Sequence, residues 1–208
     1  MTVGSVSPLV AGLGIGIALA SAPGPVQAVL LAEAHRGGMA RGFQAMAGAL
    51  LSFGLLLTAI AFGLSVQPPG GPMLRVLQGA GGGFLLWLAA DAFRAQGPAD
   101  GAPADEASAP PAIRGALAVL LNPGAWLFLG TVASSLLSSA GRDGRLGGSL
   151  LAALALLTGC AIGDGAVVVL GGVGLRRADE RIGRWVRRAL AALLAGLGLW
   201  LVAAAVTP

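Results

Sequence analysis

The sequence predicts an all-α polytopic membrane protein whose six transmembrane helices form two inverted three-helix units. Three observations carry that expectation. Of 208 residues, 56% are hydrophobic and only 11% charged, whereas a water-facing surface is usually about 25–35% charged. The apolar residues gather into six runs of about 20 or more with almost no charge inside them, each able to cross roughly 30 Å of hydrocarbon as a helix. The runs also lack the short alternation of a membrane barrel, so their backbone groups have to pair within helices.

The first run, Pro8 to Leu31, is interrupted by Ser21-Ala22-Pro23-Gly24-Pro25. Proline has no backbone donor and clashes with the preceding turn, so two prolines around a glycine should kink or unwind the helix and release carbonyls. Ala18-Leu19-Ala20 offers a small-residue cleavage pattern. The stretch lacks a basic leader and stays apolar well past that site, so it reads as a span rather than a signal peptide. The second run is Phe43 to Val66, followed by the rigid uncharged turn Gln67 to Pro72, and the third is Met73 to Ala92.

Residues 96–111 are rich in Ala, Pro and Gly and carry Asp100, Asp105 and Glu106, the composition of a flexible cytoplasmic linker with no folded content of its own. It divides the chain into a first three-helix unit, 1–95, and a second, 112–208. The fourth run, Ile113 to Leu137, contains a second break at Asn122-Pro123-Gly124. Leu146 to Gly171 and Ala189 to Val206 complete the six.

The chain has no lysine. All 13 basic residues are arginines, against nine acidic residues, for a formal charge of +4. The first, third and fifth connections own Arg36, Arg41, Arg94, Arg114, Arg176, Arg177, Arg181, Arg184, Arg187 and Arg188, and the other side owns Arg75, Arg142 and Arg145. Basic residues stay on the cytoplasmic side, which puts the odd connections in the cytoplasm and both termini outside. The same placement makes topology and anionic lipid contact, not nucleic acid, the role of the positive charge.

Because three spans is an odd number, the two units point in opposite directions, and each opens with a helix broken by proline at a roughly mirrored depth. Inverted repeats of this kind permit alternating access, with exposed carbonyls and half-helix ends handling a polar substrate between them. Kinking for packing alone is the plainer reading of either break taken singly.

Polar residues inside the runs are few. Asp164, between Gly163 and Gly165, should face protein, water or a ligand, since a charge in lipid costs several kcal/mol. Ionised, it would attract an ammonium group; protonated, it would relay a proton; paired to a backbone amide or serine, it would be structural. Asn122 and Gln27 either cap the broken helices or touch a substrate. Ser21, Ser52 and Thr158 can return hydrogen bonds to their own helices.

The candidate substrate or ion pathway is therefore Ser21, Pro23, Gly24, Pro25, Gln27, Asn122, Pro123 and Asp164. Glu33 and His35 sit at the membrane edge beside Arg36 and Arg41. With one histidine and the lone Cys160 in an apolar stretch, neither a metal centre nor a disulfide is expected. No cofactor is expected, and the chain offers no cluster of titratable groups for enzymatic acid–base work.

Gly12-x-x-x-Gly16 and Gly79-x-x-x-Gly83 have the spacing of helix-association motifs, and a glycine-lined face could present itself to a second copy as a homodimer. The glycine runs lack the strand and lysine context of a phosphate loop. Trp87, Trp126, Trp185 and Trp200 read as interface or packing residues.

Together, Ser21-Ala22-Pro23-Gly24-Pro25, the stretch His35 to Phe43, Gly81 to Leu88, and Asn122-Pro123-Gly124-Ala125-Trp126-Leu127-Phe128 resemble the LysE/RhtB-type amino-acid exporter family over nearly the full chain. The resemblance implies a secondary transporter in the bacterial inner membrane, surrounded by its lipids. It would move amino acids or close derivatives out of the cytoplasm, driven by the proton or ion gradient. Gly124 stands where a lysine commonly follows Asn-Pro in that family, which leaves basic, neutral and non-amino-acid solutes open. An exporter or permease for a metal ion or small anion is the alternative.

Overall fold

The computed structural model describes residues 7–65, 69–94, 109–141, 146–176 and 180–206. Most of the expected linker lies outside the described residues, as do Gln67, Pro68, Arg142, Arg145 and Arg177. The described chain is helical. It runs through α1 (Pro8–Ser21), α2 (Pro25–Ala61), α3 (Gly71–Arg94), α4 (Pro111–Leu120), α5 (Pro123–Phe128), a π turn (Leu129–Ala133), α6 (Ser134–Ala140), α7 (Leu146–Arg176) and α8 (Glu180–Val206).

Four stretches are long and apolar enough to cross a membrane: Pro25–Ala61, Gly71–Phe93, Leu146–Val173 and Arg188–Val206. A fifth crossing forms if Pro111–Leu120 and Pro123–Ala140, bent by 57° at their break, count as one broken span. The protein is thus an all-α multi-pass membrane protein. Its large exposed side chains are those a lipid environment accepts, among them Leu51, Leu55, Leu154, Ile162 and Leu199.

The run expected at Pro8 to Leu31 is divided. α1 has 14 residues, or roughly 21 Å of rise, short of the hydrocarbon thickness. Pro23 and Pro25 remove the donors that would continue it, so Ala22-Pro23-Gly24 is non-helical, and Pro25 then starts α2 at a first-turn position where its missing N–H costs nothing. Pro123 does the same for α5.

α2 absorbs the rest of the first run together with the second. At 37 residues it would be roughly 55 Å long if straight. It is interrupted instead at Gly37 (φ −144°, ψ 28°) and Gly38 (φ 73°, ψ −173°); the positive φ at Gly38 is one that glycine alone adopts without penalty. Its end at Ala61, before the expected Val66, coincides with a second left-handed glycine, Gly63 at φ 86°.

α1 lies along α7, α3 along α8, and α2 against both α4 and α7. In lipid no hydrophobic force drives helices together, so small residues that admit close backbone contact decide where they meet. A Cβ on Gly16 would collide with the Leu156 carbonyl of α7, and one on Gly159 with the Leu13 carbonyl of α1. In α2 and α4 the arrangement repeats: a Cβ on Gly48 would strike the Ala112 carbonyl, and one on Gly115 the Ala45 carbonyl. Between α3 and α8, Gly82 and Gly198 face each other's carbonyls.

Of the two spaced glycine pairs, Gly12 and Gly16 therefore form a packing surface. Gly79 and Gly83 face open space, and their neighbours Gly81 and Gly82 make the contacts. A core built by α2, the π turn, α6 and α7 holds Phe53, Leu57, Leu129, Leu137, Leu156 and Cys160; a second cluster joins Ala28, Val29, Leu85, Leu88, Ala118, Leu194 and Leu201.

Gly115→Val should lower the stability of the detergent-solubilised protein by about 1–3 kcal/mol, the usual cost of overpacking. Gly14→Ala, where an added Cβ meets nothing within 4 Å, should leave it unchanged or raised. Thermal unfolding of the two variants side by side measures this, and equal behaviour would count against glycine-controlled packing.

Candidate functional site

The two breaks leave backbone groups that α-helices would have paired, and side chains take them up in parallel ways. At the first, Gln27 Nε2 donates to the Ala20 carbonyl at 3.2 Å. At the second, Trp126 Nε1 donates to the Leu120 carbonyl at 2.8 Å, and Asn122 Oδ1 accepts from the Gly124 N–H at 3.0 Å as the N-cap of α5. Trp126, read from sequence as an interface or packing residue, is thus a backbone ligand. The Leu121 carbonyl abuts Gly81 of α3, where any larger residue would collide.

The breaks meet. Pro25 and Asn122 line one crevice with Gly81, Leu85, Leu117 and Leu121, and its free volume is only about 10 Å³, room for about one water. On the other flank of the first break, Gln27 Nε2 also donates to Asp164 Oδ1 at 3.3 Å. Both partners of that amide nitrogen are acceptors, which sets the orientation of the side chain. Asp164 is buried, 5% exposed, between Gly163, which touches Ala20 at the end of α1, and Gly165, which faces Met46 of α2.

Of the pathway residues expected from sequence, the structure pairs Gln27 with Asp164 and puts Pro25 and Asn122 on the wall of one crevice. Ser21 Oγ is turned back to the Ile17 carbonyl at 2.7 Å and is exposed, as is Pro23. Gly24 is extended at the start of α2, and Pro123 is buried at the start of α5. Ser52 and Thr158 bond their own helices.

A cluster of charges below the breaks was not expected to act together. Glu33, placed from sequence at the membrane edge, is 1% exposed. Its Oε1 accepts from Arg114 Nη1 at 2.9 Å, and its Oε2 from Arg41 Nη2 and Nε at 2.9 and 3.1 Å. Arg114, also 1% exposed, pairs with Asp91 Oδ2 at 2.8 Å through Nη2 and donates from Nε to the Ala109 carbonyl at 3.0 Å. Its guanidinium carbon lies 4.8 Å from the centre of the Trp87 ring, a cation–π contact. Arg36 pairs with the same Asp91 oxygen at 2.7 Å.

Arg114 is thus inserted from α4 into a cradle made by α2 and α3. Arg41 and Arg36 brace the two carboxylates from outside. The sequence carried a signal for this, namely Asp91 inside the expected third run and Arg114 inside the fourth. Reading the arginines as topology markers passed over it. Among the described residues no three His, Cys, Asp or Glu side chains come together as metal ligands would.

Removing one partner of a buried ion pair leaves the other charge uncompensated, at a cost of about 3–5 kcal/mol. Arg114→Met should therefore destabilise the protein by roughly that amount, and Arg75→Met, at an exposed position of α3, by less than about 0.5 kcal/mol. Denaturation of both in the same detergent is the check; an unaffected Arg114→Met would show that the network carries no stability.

A family model described as LysE type translocator matches residues 17–205, a range that contains both breaks, Asp164 and the ion network. No curated protein and no solved structure matches the chain.

Proposed function

From the premise that this chain belongs to the LysE-type translocator family, whose members are membrane transporters, we propose that it exports amino acids or close derivatives from the cytoplasm. The transport is secondary, driven by the proton or ion gradient, and works by alternating access between two inverted three-helix units. The first unit comprises segments 8–36, 39–61 and 71–94, and the second 111–140, 146–176 and 180–206.

The observation that carries this reading is the reciprocity of the packing. Exchanging the two units turns the α1–α7 contact into the α4–α2 contact, and both are made backbone to backbone through glycine. The same exchange turns the α3–α8 contact into itself, and Gly82 and Gly198 meet there in both directions. Contacts that map onto each other are what a pseudo-two-fold relation requires. The broken helices of each unit then face one another at Pro25 and Asn122, where a substrate site of an inverted-repeat transporter belongs.

Arginine placement supports cytoplasmic odd connections, outside termini and a bacterial inner-membrane location. Asp164, tied through Gln27 to the carbonyl of Ala20, is the group that senses a cation, either a substrate ammonium or the coupling proton. The crevice of about 10 Å³ is too small for an amino acid, so the half-helices must part for one to enter.

Counterflow of amino acids in proteoliposomes, with the proton gradient varied, tests the reading. At least one amino acid should exchange, and Asp164→Asn should cut gradient-driven efflux tenfold or more at unchanged membrane abundance. Equal efflux by equally abundant mutant and wild type would remove Asp164 from the coupling. Absence of all amino-acid counterflow, with metal-dependent flux instead, would overturn the substrate class.

A further inference from the structure

The two ends of the molecule differ in a way an inverted repeat makes informative. Glu33 lies eight residues after Pro25 and Arg114 eight residues before Asn122. The ion pair is therefore roughly 12 Å from each break, along both helices and toward the arginine-rich end. A solute moving from the crevice to that end between the 25–36 segment of α2 and α4 has to part Glu33 from Arg114 as well as Ala28 and Val29 from Ala118, while Gly48 and Gly115 keep α4 on the 39–61 segment. In the opposite direction, α1 and the π turn with α6 leave an open groove of about 520 Å³ lined by Ile15, Thr131, Val132, Ser135, Leu136 and Ser139. The arginine-rich side of the crevice is thus closed by an ion pair, whereas the groove on the other side is shallow and mixes the apolar side chains of Ile15, Val132 and Leu136 with three hydroxyl residues.

We propose that Glu33 and Arg114 form a gate at the arginine-rich end, which opens by exchanging its own ion pair for the two charges of a zwitterion. The α-ammonium group goes to Glu33 and the α-carboxylate to Arg114. This rests on the transport reading above and names how that substrate class is recognised. The reason lies in what separation would leave behind. Arg114 enters the network from α4, and besides the Ala109 carbonyl it contacts Glu33, Asp91 and Trp87 of α2 and α3.

Withdrawn from that cradle, a guanidinium 1% exposed needs an anion, and Glu33 Oε1 loses its donor. The other Glu33 oxygen stays on Arg41, and Asp91 stays on Arg36, so the cradle keeps its shape while one position in it changes hands. An amine alone supplies one of the two replacements and a carboxylate alone the other. A zwitterion supplies both on one carbon, so the gate opens for an amino acid and stays shut against its singly charged analogues.

The test uses the full-length protein in sealed vesicles, with Cys160→Ser to remove the native thiol and a membrane-impermeant maleimide added at the arginine-rich side. Ala118→Cys, buried on α4 in the crevice lining four residues beyond Arg114, reports opening; Arg181→Cys, at an exposed position, reports the amount of accessible protein. Glu33→Gln, which preserves shape, should raise Ala118→Cys labelling tenfold or more relative to Arg181→Cys, and should slow labelling of Ser135→Cys in the groove from the other side.

Without the Glu33 substitution, a mixture of the 20 amino acids should raise Ala118→Cys labelling. The corresponding decarboxylated amines and deaminated acids should not. Labelling unmoved by Glu33→Gln or by amino acids that do undergo counterflow overturns the gate while transport stands. Acceleration by the amines or acids alone overturns the zwitterion exchange. If Glu33→Gln raises labelling but counterflow is absent and no amino acid acts, the transport reading has failed and the exchange falls with it.

Discussion

In a membrane every backbone polar group has to find its partner inside the protein, and proline withholds one. Pro23, Pro25 and Pro123 break helices where no water of the bilayer can repair them. The repair comes from Gln27 on the Ala20 carbonyl, Trp126 on the Leu120 carbonyl and Asn122 on the Gly124 N–H. Those three side chains are fixed at the breaks, so the breaks determine what surrounds them. Gln27 brings Asp164 to the first break, and the Leu121 carbonyl demands a glycine at position 81. The Ala20 and Leu120 carbonyls are freed because the turn that proline imposes carries the N–H groups of Gly24 and Gly124 off the helix.

Close glycine packing is the second determinant. α1 and α4 are short, 14 and 10 residues, and a short helix buries little unless its backbone approaches its neighbour closely. Gly12 and Gly16 allow that against α7, Gly115 against α2. α1 is thereby held to α7 and α4 to α2, whereas α6 meets α1 more loosely, leaving the groove between Ile15 and Ser135. A transporter needs this combination of firm and loose contacts around a broken helix, because rigid pieces can then move against one another without unfolding.

The charges add selectivity to that mechanics. A lone arginine inside an apolar run is costly, and Arg114 is tolerated because two carboxylates, a carbonyl and an indole surround it. Buried ion pairs contribute modestly to net stability but are severe when half broken, which suits a contact that has to be either fully made or fully replaced.

The membrane class, the helical nature of the chain and the positions of both proline breaks were legible in the residues themselves. Each is a local property: mean hydropathy of +0.84 over the chain, runs of apolar residues, and an amide nitrogen without hydrogen. Family membership was legible too, through motifs that stay contiguous in sequence. Tertiary structure alone decided which glycines touch, since Gly79 and Gly83 share a spacing with Gly12 and Gly16 but not a neighbour. It also decided that Glu33, 81 residues from Arg114, is its buried partner, and that Gln27 meets Asp164 across 137 residues. Composition and spacing record what a residue can do. Pairing between distant charges depends on which helices lie side by side, and in lipid that is settled by close backbone contacts that leave no periodic trace in the sequence.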